Sequence, residues 1–182
     1  MKTAIALLLL VVFCAQAQGA GKSIVFYRIG ESGQQAWTLL KEYFEAKGYN
    51  VVVIQGDTEI EKHVDRINKI NRGSGGSVFL AMELVPDEKS HVMVAESDAR
   101  MGEGRFLAID EIPARFAGES DRLAAAVAAP FAAGVKHLPL YPLLGVNMPG
   151  IAVKLEFDQG ETLNMIAKIY KGVERYFSER TK

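Results

Sequence analysis

Six short apolar runs punctuate this chain, and most are separated by segments whose apolar residues recur every three or four positions. Ser23–Tyr27 (SIVFY), β-branched and aromatic, predicts a buried strand. A turn at Gly30-Glu31-Ser32-Gly33 leads into Gln34–Lys47, where Ala36, Leu39, Leu40, Tyr43 and Phe44 fall at helical spacing and Gly48 supplies the stop. Val51–Ile54 predicts the next strand. Asp57 is placed to cap a helix with the stripe Ile60, Val64, Ile67 and Ile70, ending in the glycine-rich run 73–76. Ser77–Leu84 (SVFLAMEL) predicts a third strand.

The remainder continues the alternation less evenly. His91–Ala95 and Phe106–Ile109 predict short strands flanking a turn at Met101-Gly102-Glu103-Gly104. Glu119–Ala133 is alanine-rich and predicts a helix that Pro130 must kink or end. Gly150–Phe157 (GIAVKLEF) predicts a strand. Gly160–Ser178 predicts a helix with the stripe Leu163, Ile166, Ile169, Tyr170, Val173 and Phe177. Strands alternating with helices imply an α/β domain with a largely parallel central sheet and helices on both faces. The expected domain is residues 22–182, with no internal repeat or dividing linker.

The front of the chain reads differently. Lys2 precedes an apolar block from Ala4 to Phe13, and Ala15 and Ala17 form an A-x-A pattern. The block is about ten residues long, half of the roughly 20 that a membrane-spanning helix needs. Residues 1–17 are therefore expected to be a signal peptide, and the product periplasmic or secreted in a bacterium, with no transmembrane segment after cleavage. The single cysteine, Cys14, lies in this leader behind the bulky Phe13, so a soluble product is expected and not a lipoprotein. The mature chain then has no thiol for a disulfide, a metal site or a nucleophile.

Gly19-Ala20-Gly21-Lys22-Ser23 imitates the end of a phosphate-binding loop. That loop needs a glycine where Gln16 stands, and it must follow a strand, whereas here the strand comes after it. Charge is nearly balanced, with 21 basic and 22 acidic residues and no basic stripe, which argues against nucleic-acid binding.

With the elements placed, three segments resemble the zinc-dependent N-acetylmuramoyl-L-alanine amidases that cut peptidoglycan. His63–Leu84 (HVDRINKINRGSGGSVFLAMEL) is similar to that family's R-x-x-x-x-N helix and the strand ending in S-I-H-A-N. Leu138–Phe157 (LPLYPLLGVNMPGIAVKLEF) is similar to its "mPavLvElGF" segment, and the helix carrying Tyr170-Lys171-Gly172-Val173 to its last helix. Ile24–Gly33 lies where the family has a strand ending in G-H-G-G. The resemblance implies an amidase-like, phosphorylase/hydrolase-like fold.

The family's chemistry uses two histidines and a glutamate on zinc, with a second glutamate as general base. Here Glu31 stands at the first histidine position, Glu83 at the second, and Lys154 at that of the catalytic glutamate, while the loop bearing the ligand glutamate is missing before Gln34. No catalytic residue is expected. His63, His91 and His137 show no ligand spacing and are expected to be surface or hydrogen-bonded histidines. Ser32 lacks the G-x-S-x-G elbow of a nucleophilic serine. Trp37, Tyr43 and Phe44 are expected in the core, and the charges at Lys168, Lys171, Glu174, Arg175, Glu179 and Arg180 on a solvated helix face.

Glu31, Glu83, Lys154 and Glu156 are expected to converge on one cleft at the strand ends, because residue 156 shares a strand face with 154. In the plainer case Lys154 pairs with the carboxylates and fills the vacated zinc pocket. In the sharper case the cluster binds a hard cation or an amine. The leading expectation is a non-catalytic, amidase-like binding protein whose partner is peptidoglycan or a cell-envelope protein, with no cofactor. The runner-up is a working amidase with a diverged site, for which zinc would be the cofactor. The third is a small-ligand or cation-binding module.

Overall fold

The computed structural model describes residues 22–73, 78–86, 89–96 and 108–180. Its elements run β1 (Ser23–Ile29), α1 (Gln34–Ala46), β2 (Asn50–Gln55), α2 (Ile60–Gly73), β3 (Val78–Val85), β4 (His91–Ala95), α3 (Ala117–Ala128), β5 (Val135–Leu138), β6 (Gly150–Glu156) and α4 (Thr162–Arg180). The strands form one sheet in the order β2-β1-β3-β6-β4-β5. Every neighbouring pair is parallel except β4 with β6, so β4 and β5 run against the other four. This is the expected α/β class.

Side chains alternate across a strand, so each strand feeds two cores. Ile24, Phe26, Leu80, Met82 and Val153 point to the face covered by α1, α3 and α4, where they meet Leu40, Phe44, Leu123, Val127, Ile166, Ile169 and Val173. Val25, Tyr27, Phe79 and Ala81 point to the other face, against Ile67 and Ile70 of α2 and the loop residues Leu143, Val146 and Met148. Each fully buried aliphatic side chain of this kind contributes about 1.5–3 kcal/mol relative to exposure. Trp37 and Phe44 lie in the first of these cores, as expected.

Two stripe assignments change. Ile60 is 53 % exposed and Leu163 is 63 % exposed, although both fit the helical period. Each occupies the first turn of a helix that follows a strand, α2 after β2 and α4 after β6. The buried stripe of α2 is instead His63, Ile67 and Ile70, so a histidine takes a core position. On α4 the stripe also takes in Met165, Gly172 and Tyr176.

Elsewhere Pro130 ends α3 as expected, within a 3-10 turn at Ala129–Phe131. The strand expected at Phe106–Ile109 falls partly outside the described residues, and Ile109 itself lies in a turn. The leader and the Met101–Gly104 turn lie outside them altogether. Edge strand β5 had no counterpart in the sequence reading, since three of its four residues are exposed and it carries no apolar alternation. Among the described residues no helix is long and apolar enough to cross a membrane.

Candidate functional site

From β1 the chain moves outward to β2 through α1 on one face, then returns through α2 on the other face to β3, on the opposite side of β1. The order therefore reverses at β1, and the crevice beyond the carboxyl ends of such strands is where open α/β sheets place ligands. A cleft of about 720 Å³ lies there, with Arg28, Glu31, Asp57, Arg66 and Tyr141 among its walls.

Its floor depends on a glycine. The Gly56 N–H donates to the Arg28 carbonyl at 2.7 Å, closing the loop after β2 onto the end of β1. A Cβ on Gly56 would stand 2.7 Å from both that carbonyl oxygen and Tyr27 Cε1. Real contacts of this kind are not tolerated, so backbone meets backbone only because residue 56 has no side chain.

Beyond Gly56, Asp57 organises the mouth. Its Oδ1 accepts from the Glu59 N–H at 3.1 Å, and its Oδ2 accepts from Arg66 at 3.2 Å. Arg66 also donates to the Gln55 carbonyl at 2.7 Å. The Glu59 N–H above all, with help from Arg66, holds the Asp57 carboxyl below its ordinary value. On the opposite wall Arg28 donates to the Glu31 carbonyl at 2.6 Å and to the side chain of Gln34. Its guanidinium lies 5.9 Å from the Trp37 ring centroid, while the Trp37 indole donates to the Ser32 carbonyl at 3.1 Å. Residues 30–34 are thus tied to the end of β1, and the Arg28 Nε is buried without a partner among the described residues.

Beneath the mouth sits a buried polar chain. The Tyr27 hydroxyl lies 2.7 Å from His63 Nδ1 and accepts the Asp57 N–H at 2.9 Å. His63 Nε2 lies 3.2 Å from the Leu144 carbonyl. A carbonyl only accepts, so Nε2 carries the proton and Nδ1 accepts from Tyr27. His63 is fully buried, and Tyr141 stacks on its ring with centroids 4.7 Å apart. Burial lowers the pKa of His63 and raises that of Tyr27.

The four residues expected to converge share the sheet's carboxyl edge but divide among three places. Glu31 is exposed and lines the cleft. Glu83 on β3 pairs in register with Ile29 on one side and Lys154 on the other, and both charged residues are half-buried on the α2 face. Glu156 is exposed and lines a separate groove of about 270 Å³ with Asp158, Glu161 and Lys168. Gly30, with φ 75°, turns the chain after β1, which takes Glu31 out of the strand register that Glu83 and Lys154 share.

Among the described residues no three His, Cys, Asp or Glu side chains are grouped so as to hold a metal ion. The donor set at the amidase positions, two separated carboxylates and a lysine, does not fit a zinc site built on two neutral imidazoles. Of the remaining histidines, His91 faces Lys154 in register, and His137 makes an exposed pair with Asp121 at 3.0 Å.

Tyr27, Asp57, Arg66 and Tyr141 line the site although no motif or spacing in the sequence singles them out for it. One signal was available: His63 shares the spacing of Ile67 and Ile70, and a polar residue on an apolar stripe needs a buried partner. Tyr27, a hydroxyl at the end of an apolar strand, was the other half of that pair.

No protein-family model matches the chain, and no curated protein matches it. Among solved structures it is similar to the pyroglutamyl peptidase I from Bacillus amyloliquefaciens, at 10 % identity over 85 % of this chain and 91 % of that one. The TM-score is 0.45, a likeness too distant to carry over any residue's role.

Proposed function

We propose that this chain is an exported, amidase-like protein that binds peptidoglycan fragments without cutting them. The observation that carries this reading is the Glu83–Lys154 register pair. In the amidases that the sequence resembles, a zinc histidine and the catalytic glutamate occupy these positions. Lys154 carries an ammonium group where those enzymes have a carboxylate, and an ammonium only donates hydrogen bonds. Glu83 and Lys154 therefore leave these two positions without the imidazole ligand and the carboxylate base that the amidases use there.

The adjoining cleft supplies what a binding protein needs. Two guanidinium groups and two carboxylates around Tyr141 suit a small ligand that carries both signs of charge, as peptidoglycan stem peptides do. The cleft is large enough for a few residues of such a peptide and falls within the ordinary range for small-molecule sites.

The test is calorimetric titration of the mature protein with purified muropeptides, with and without excess zinc, while the mixture is assayed for released L-alanine peptides. Saturable binding without release is expected, weakened at least tenfold in Glu31→Ala and Tyr141→Ala. Cleavage by the unmodified protein would show that the reading as a non-catalytic binder is wrong, and absence of binding would remove the proposed ligand.

A further inference from the structure

The buried chain of hydrogen bonds under the cleft has a property that no ligand is needed to explain. Neutral His63 satisfies every polar atom in it. Nε2–H donates to the Leu144 carbonyl, Nδ1 accepts the Tyr27 hydroxyl, and the Tyr27 oxygen accepts the Asp57 N–H. These bonds join four separate pieces of chain, namely β1, the loop after β2, helix α2 and the loop around residues 141–145. Tyr27, Asp57 and Tyr141 are also walls of the cleft.

A second proton on His63 turns Nδ1 from acceptor into donor. The Tyr27 oxygen would then face two donors, Nδ1–H and the Asp57 N–H, and its own O–H would have lost its acceptor. An orphaned buried hydroxyl and a buried cation would have to be accommodated at once. We propose that His63 is an acid-sensitive latch whose protonation breaks the Tyr27–His63 bond, uncouples β1 and the loop after β2 from helix α2, and so reshapes the cleft.

Groups from three other elements face His63. From β1 comes the Tyr27 hydroxyl, and from the 141–145 loop come the Tyr141 ring and the Leu144 carbonyl. The Leu144 carbonyl, which accepts from Nε2–H in either protonation state, favours the imidazolium, and so does the Asp57 carboxylate of the loop after β2, which Arg66 of α2 already pairs with. Burial outweighs both, so the folded-state pKa of His63 lies below the ordinary 6.5. The sign follows. The closed form holds neutral His63 and the open form takes up a proton below pH 6.5. The latch is fully closed above that pH and loses stability as pH falls from there to the folded-state value.

The experiment is amide hydrogen exchange on the full mature chain between pH 7.5 and 5, corrected for the intrinsic exchange rate, together with an NMR titration of the histidine rings. The Asp57 and Gly56 amides report directly, because they donate to the Tyr27 oxygen and the Arg28 carbonyl. Their opening constant should rise about tenfold per pH unit below the ordinary histidine pKa, as one linked proton requires. His63→Gln, neutral throughout, should abolish that slope, while His91→Gln and His137→Gln should keep it. A His63 ring that titrates at or above its ordinary value, a flat opening constant, or a slope that survives in His63→Gln would each overturn the latch. Should His63→Gln not fold, the ring titration and the other two variants decide the question.

Discussion

Gly172 of α4 touches Val127 of α3 so closely that a Cβ built on it would lie 2.6 Å from Val127 Cα and 2.8 Å from the Ala126 carbonyl oxygen. The two helices cover the same face of the sheet, and both obstacles are backbone, which cannot turn aside as a side-chain tip can. Ordinarily Gly→Ala inside a helix stabilises it by about 1 kcal/mol. Here the sign should reverse. Gly172→Ala should lose about 1–3 kcal/mol by forcing α3 and α4 apart, measured by urea denaturation. A gain in stability would mean that the helices are not packed this tightly.

Position within one helix should decide a second outcome. Ile166 is fully buried and Leu163 is 63 % exposed, although both belong to the apolar pattern of α4. Ile166→Ala should cost about 2–5 kcal/mol through lost burial and the cavity it leaves. Leu163→Ala should change stability by less than about 0.5 kcal/mol. Equal losses on denaturation would contradict the difference in burial between the two positions.

A third expectation concerns acid. Glu174 accepts from Lys22 at 2.7 Å and from the Tyr49 hydroxyl, and these bonds, Lys22 first, hold its pKa below the ordinary 4.5. A carboxyl lowered in the folded state adds stability above its unfolded pKa, and that stability fades as pH falls through the folded value. The window therefore lies below pH 4.5. Both side chains of the ion pair are more than a third exposed, at 42 % and 34 %. That exposure limits the effect to roughly 0.2–1 kcal/mol. Thermal melts of Glu174→Gln should show this small loss at pH 7, and the difference from the natural chain should vanish towards pH 3.

How far the sequence could be read depended on what each element asks of its residues. Strand β1 and helix α4 were legible because burial on one or both sides imposes a period on the side chains. Strand β5 was not, because an exposed edge strand of four residues imposes none. The carboxylates at 31, 83 and 156 were legible as residues of one sheet edge. Their separation was not, since it follows from the turn at Gly30 and from strand register, neither of which is written in spacing. The Tyr27–His63 bond joins residues 36 positions apart, so only the fold brings them together.

Glu83 and Lys154 are lateral neighbours on parallel strands, half-buried on the same face. Opposite charges in such a pair contribute roughly 0.2–1 kcal/mol, and like charges there are destabilising. Lys154→Met should therefore lose little, because the aliphatic stem is kept and only the charge goes. Lys154→Glu should lose more, because it sets two carboxylates side by side. Like charges raise the folded-state pKa of such a pair above the unfolded values, so the penalty is complete at neutral pH and shrinks as protons bind on acidification. Urea denaturation at pH 7 and again at pH 5 should show the gap between the two variants narrowing at the lower pH. A gap that stayed constant or widened on acidification would mean that Glu83 does not feel the charge at position 154. The functional reading would then lose the observation that carries it.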